Sequence, residues 1–414
     1  MRRPEIFYGW YIVAAGAVIN ACVGGLIYYG FTALVNPIAN TFGWSYAQIS
    51  LAMTLRGLET GALNPVVGLI VDRFEPKRLI FAGVIIAGFG LLCLSQVTTL
   101  ALFYLSFVIF SLGNALAGGI VTATTIARWF KKDMGKAQAV LTMGMGSGGF
   151  FIPILVTMTD AYGWQTTLII LAFVIWIVGM PLSFAFRSRP EEYGLLPDGR
   201  KEMVSLDPGR PRTNDPEIAV RKALGTRAFW YIGIAWMLQI AATNAVVVHV
   251  MPYLVSQGVE RSTAGTVAMA LPIISLTARF PFGWLADNLP KKYVIMVSIA
   301  LTSAGMFLFS IMDTGSLGLL IIFIVVFGLS LAGFMSLWPP LIREYFGSRN
   351  FGAIYGMIHI FITFGMIVSP PAAGWWFDTH STYHPAWLIL GAICLTGIVL
   401  VALMPRSIET EGSQ

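Results

Sequence analysis

In the stretch LPIISLTARFPFGWLADNLPKK, from Leu271 to Lys292, a single arginine interrupts an apolar run. A guanidinium at the centre of a lipid-spanning helix costs roughly 2.5–3.5 kcal/mol on insertion scales, so Arg279 calls for a partner. It lies about eight residues, roughly 12 Å of helix, from the polar end at Asp287, which is a stretch for a snorkelling side chain. Its parallel N–H donors suit two-point recognition of a carboxylate. Ser275 shares its helix face at i, i+4. That serine would orient the guanidinium, donate to a substrate hydroxyl, or bond its own backbone.

Other polar residues also sit in apolar surroundings. Arg56 and Glu59, at i, i+3, can form a local ion pair or take part in gating and proton transfer. His249 and His359 are single histidines that either pack or carry a proton, since imidazole titrates near neutrality. Asn20, Asn114 and Asn244 either line a cavity or bond neighbouring helices. Of Tyr28 and Tyr29, at least one should face inward. The candidate lining set is thus Arg279, Ser275, Tyr28, Tyr29 and Asn114.

The elements that carry these residues follow from composition. Of 414 residues, 57% are hydrophobic and 11% charged, against about 25% charged in water-soluble domains. Apolar runs of membrane-spanning length are expected at about 9–35, 47–71, 79–97, 101–126, 137–158, 165–186, 229–254, 264–285, 293–311, 317–341, 352–375 and 385–404. Lipid offers the backbone no partners, so all twelve should be helices. Of 26 Lys and Arg, 23 then fall on one side with both termini, one (Arg261) falls opposite, and Arg56 and Arg279 lie inside spans. Both termini are therefore expected in the cytoplasm, and the +6 net charge reflects topology, with no nucleic-acid partner required. Cys22, Cys93 and Cys394 lie in spans with no disulfide or zinc spacing. The N-terminal apolar run is read as the first helix and not as a cleaved leader.

From Arg187 to Arg227 the chain turns polar, with five prolines, nine basic and seven acidic residues. This reads as a cytoplasmic linker, partly disordered or with short helices. It separates an N-terminal six-helix bundle (1–186) from a C-terminal one (228–414), with the linker at 187–227. The halves echo each other: GLIVDRFEPKR at 68–78 and GWLADNLPKK at 283–292 place Gly68 and Gly283, and also Asp72 and Asp287, 215 residues apart. RWF at 128 and REYF at 343 keep the same offset. Duplicated six-helix units around a central site are a transporter pattern.

The G-x-x-x-D-R-x-x-x-K-R loop and its weaker repeat resemble the signature loop of the major facilitator superfamily. YGW at 8–10 and at 162–164, with RWFKKDMGKAQAVLTMGMGSGG at 128–149, resembles the monocarboxylate transporter family. RPEEYGLLPDG at 189–199, HVMPYL at 249–254 and EYFGSRNFGAIYG at 344–356 are similar to its bacterial branch, which includes lactate carriers; oxalate–formate exchangers are neighbours. The resemblance covers nearly the whole chain. It implies an all-helical fold of two pseudo-symmetric six-helix bundles, and a carboxylate-binding role for Arg279. Animal members have an aspartate where this chain has Ser275, and a first-span lysine near Tyr28 or Tyr29. Both groups are implicated there in proton coupling, so here the proton route falls to His249, Glu59, His359 or the substrate itself. Asp72, Arg73, Arg78 and Asp287 are expected to act as conformational latches, with Arg56 in gating.

Two motif matches are set aside. GMGSGG at 144–149 satisfies G-x-G-x-x-G but lies inside a span, with no strand before it and no acidic ribose partner after it, so helix packing explains it. HSTYH at 380–384 lacks a third metal ligand. With no Walker A motif and scattered histidines, the chain is expected to be neither an enzyme nor an ATP-driven pump, and to need no cofactor or metal. The expected function is proton-coupled secondary transport of a small monocarboxylate such as L-lactate or pyruvate, by a monomer in the cell (inner) membrane. A carboxylate/carboxylate antiporter and an anion channel are the alternatives.

Overall fold

The computed structural model describes residues 7–44, 46–199, 218–312 and 317–405; within these, some side chains, among them those of 24–30 and 52–60, lie outside the description. The described chain is helical with no strand, as backbone surrounded by hydrocarbon requires. It groups into two units. One comprises Met1–Glu217 with Gly347–Met357, and the other Ile218–Phe346 with Ile358–Gln414.

The first unit holds α1 (Tyr8–Ile19), α2 (Leu26–Phe42), α3 (Tyr46–Arg73), α4 (Pro76–Ser95), α5 (Leu100–Ala117), α6 (Gly119–Trp129), α7 (Met134–Ser147) and α8 (Ile152–Ser183). A π-helical turn, Asn20–Gly25, joins α1 to α2 inside the first expected span. α5 and α6 form the fourth span, broken at Gly118 and Gly119. Gly163, at φ 81°, divides α8 where the fifth and sixth spans were expected to part. α1 and α7 cross so closely that a Cβ on Gly144 would collide with the Ala17 carbonyl. That contact is the packing reason for the first glycine of GMGSGG.

The start of the linker is folded into short helical turns. After α8 the chain makes two 3-10 turns, Pro190–Tyr193 and Pro197–Gly199. The Arg187 guanidinium lies between the Tyr8 and Tyr193 rings, 3.9 and 4.2 Å from their centroids. The Trp129 indole donates to the Arg187 carbonyl at 2.9 Å. The Asp198 carboxylate accepts the backbone N–H groups of Lys131, Lys132 and Asp133 at 3.1, 2.8 and 3.3 Å, capping the turn that leads into α7.

The second unit holds α9 (Val220–Leu224), α10 (Arg227–Ser256), α11 (Arg261–Asn288), α12 (Lys291–Ser310), α13 (Leu317–Phe346), α14 (Phe351–His380, whose first turns group with the other unit) and α15 (His384–Ala402). Apolar side chains face outward along these helices, as they must against lipid. Basic residues collect at their ends: Lys292 donates to the Ala402 and Met404 carbonyls at 2.7 and 3.2 Å, closing the C-terminus of α15.

Candidate functional site

Arg279 is placed by the two-faced character of α11. Met269, Ile273, Phe280 and Trp284 are exposed and recur on one side of this helix. Ser275 and Arg279 lie on the opposite side, 2% and 5% exposed. A snorkelling arginine would be exposed, so burial inside the protein removes that reading. Pro272 and Pro281 bracket the pair within α11. Each lacks the N–H of a regular helix, so α11 runs on without two of its backbone hydrogen bonds near the polar pair. A buried guanidinium with a hydroxyl one turn away can bind an oxyanion at two points.

His359 belongs to a different group. Its ring meets the Trp236 indole edge-on at 5.7 Å, and Trp236 stacks on Trp338 at 5.4 Å. The Trp338 N–H donates to Gln239 at 3.0 Å, and Gln239 donates to the Ser298 and Thr302 hydroxyls at 2.9 and 3.2 Å. This buried chain binds α10, α12, α13 and α14 together. Nothing in the sequence marked Gln239, because its partners lie 59 or more residues away.

His249 and Asn244, both on α10, meet α14 at its Pro370–Pro371 pair. Pro370 has no N–H to give the Met366 carbonyl, and the Asn244 amide donates there instead, at 2.9 Å. His249 Nε2 lies 2.9 Å from the Pro370 carbonyl, and its Nδ1 lies 3.1 Å from the Tyr383 hydroxyl. Among the described residues no three His, Cys, Asp or Glu side chains gather as metal ligands.

In the first unit the signature loop builds a buried charge cluster. Arg128 reaches Asp72 at 3.1 Å, their side chains 6% and 9% exposed, and also donates to the Val71 carbonyl at 3.0 Å. The Asp72 carboxylate accepts the Gly352 and Ala353 N–H groups at 3.3 and 2.8 Å, at the start of α14. A carboxylate there meets the positive end of the helix dipole. Arg73 lies beside the pair in a crevice of about 280 Å³ whose lining includes Arg128, Arg189 and Glu192. Arg78 sits elsewhere, on an exposed ion pair with Glu75 at 3.0 Å. In this cluster the residue that sequence reasoning missed is Arg128.

Asn20, in the π turn, faces the helix break at Gly118, and the Asn114 carbonyl accepts the Gly118 N–H at 3.0 Å. π turns and broken helices often mark functional positions. The side chains of Tyr28, Tyr29, Arg56 and Glu59 lie outside the described residues.

The sequence profile of the Major Facilitator Superfamily matches residues 17–260 and 250–413. The chain belongs to this superfamily. Mouse monocarboxylate transporter 12 is 23% identical to it, over 99% of this chain and 88% of that protein. Rat monocarboxylate transporter 10 is 26% identical, over 97% and 79%. Among solved structures, the E. coli fucose:proton symporter FucP superposes with a TM-score of 0.69 at 12% identity, covering 98% of this chain and 100% of that one. The human organic anion transporter MFSD10 gives 0.70 at 11%, covering 96% and 100%. These are transporters, not enzymes, and the fold is theirs.

The superfamily's internal duplication is visible in burial. Arg128 and Arg343, 215 residues apart, are 6% and 4% exposed at corresponding helix ends, on α6 and α13. Asp287, the counterpart of Asp72, is half-buried near the end of α11.

Proposed function

We propose that this superfamily member is a secondary transporter that carries a small monocarboxylate, L-lactate- or pyruvate-like, together with a proton by alternating access. The observation that carries the reading is Arg279, an arginine only 5% exposed in the middle of an apolar helix. Two-point hydrogen bonding to a carboxylate gives that cation a use equal to its cost. The printed names of the relatives, monocarboxylate transporters, support the same substrate class. Ser275 orients the guanidinium or takes the substrate hydroxyl, and Tyr28, Tyr29 and Asn114 complete the lining. His249 takes the proton. Asp72, with Arg128, holds one state of the cycle and Asp287 its counterpart. The charge bias places both termini in the cytoplasm, in the cell membrane, and the working unit is one chain.

The test is a thermal-shift screen of the purified chain against carboxylates, followed by uptake into proteoliposomes. A ligand that binds only the folded state raises its stability. A proton gradient should drive accumulation of the carboxylate that scores highest. Counterflow with no response to the gradient would instead identify a carboxylate exchanger.

A further inference from the structure

We propose that Tyr383 is the group that hands the proton to His249. The proposal rests on the reading that His249 takes the proton. It begins with the two sides of the imidazole. The Pro370 carbonyl, 2.9 Å from Nε2, can only accept, so Nε2 carries hydrogen in either charge state. The proton that changes the ring's charge must therefore arrive at Nδ1. Tyr383 is the group within hydrogen-bond distance of Nδ1, at 3.1 Å.

The Tyr383 ring is held in place, so its hydroxyl has a fixed position. It stacks on Phe377 at 4.3 Å and on Trp387 at 5.3 Å, and it is 3% exposed. Asp378, one residue beyond Phe377, is exposed on the last turns of α14. Its charge acts on the Tyr383 hydroxyl, which burial first and then this carboxylate push above the usual phenol range. A phenol held neutral in this way relays a proton without surrendering its own charge state.

Three other titratable groups near this end, Tyr253, His380 and His384, bond elsewhere. On α10, Tyr253 donates to the Phe309 carbonyl at 2.7 Å. On α15, His384 Nδ1 meets the Ser310 carbonyl, and at the end of α14, His380 Nδ1 meets the Trp376 carbonyl and the Thr379 hydroxyl. In the transfer step, the Tyr383 O–H bond breaks as an N–H bond forms at Nδ1. A hydronium ion from the aqueous side supplies the replacement O–H and leaves water. The products are an imidazolium, a neutral phenol and a water molecule, with one proton moved and no electron transferred.

The experiment uses the full chain in proteoliposomes with L-lactate as probe, comparing proton-driven uptake with equilibrium counterflow. Tyr383→Phe keeps both ring stacks and removes only the hydroxyl. It should slow driven uptake roughly tenfold or more while leaving counterflow intact, as His249→Gln should. Wild-type driven uptake in Tyr383→Phe, with loss in His249→Gln, overturns the relay and leaves the His249 reading standing. Normal driven uptake in His249→Gln, or no lactate transport by the wild-type chain, removes that reading and the relay with it. If Tyr383→Phe also loses counterflow, the hydroxyl serves transport itself and the relay is overturned.

Discussion

Asp72 and Arg128, 56 residues apart in sequence, meet at 3.1 Å with both side chains almost wholly buried, and the same carboxylate accepts the first N–H groups of α14. One carboxylate thus satisfies a buried cation and a helix terminus at once. Asp72→Asn preserves shape but leaves Arg128 without its counter-charge. Removing one partner of a buried pair typically costs about 3–5 kcal/mol, so thermal unfolding in detergent should fall by several degrees. Cysteine accessibility near Gly352 should rise with it. An unchanged melting temperature would mean the pair contributes little.

Arg279→Lys keeps the charge and loses the planar fork. Carboxylate binding should weaken at least tenfold, about 1.4 kcal/mol, read as loss of the ligand-induced thermal shift at normal expression. Wild-type affinity would reassign the anchor.

Asn244→Leu leaves the Met366 carbonyl with neither a helical partner, because of Pro370, nor an amide. Hydrogen bonds between membrane helices are worth about 0.6 kcal/mol on average and up to about 1.7 kcal/mol. A loss of about 1 kcal/mol is expected on denaturant unfolding. Asn244→Asp should not restore it, since a carboxylate offers the carbonyl no donor.

Topology is tested by labelling. A cysteine in the linker, Ser205→Cys, should react with impermeant thiol reagents only from the cytoplasmic side in oriented membranes. Reaction from outside would invert both termini.

Periodicity and composition were enough to locate the membrane helices, since a lipid-facing stretch announces itself locally. The division near Gly163 and the buried face of α11 were legible for the same reason. Arg279 stood out because a charge in such a stretch has no neutral explanation. Arg128 did not: it sits at a helix end among other basic residues, and only the fold brings it to Asp72. Gln239 and Asn244 were opaque likewise, because an amide bonds equally well to a carbonyl, a hydroxyl or a substrate, and its partners lie on other helices. Pro370 did offer a clue, since a proline inside a span must free a carbonyl four residues earlier.

The folded start of the linker changes how the polypeptide between the two units can be engineered. Arg187 is clasped by two aromatic rings and Asp198 by three backbone N–H groups, so the segment through Gly199 belongs mechanically to the first unit. The covalent connection to the second unit is then counted from Gly199 to Ile218, and the greatest length that many residues can span, roughly 3.5 Å per residue, is about half that of the whole stretch from Arg187 to Arg227. A reporter domain spliced between 187 and 199 would tear this clasp apart. The same domain placed after Gly199 should leave this clasp intact.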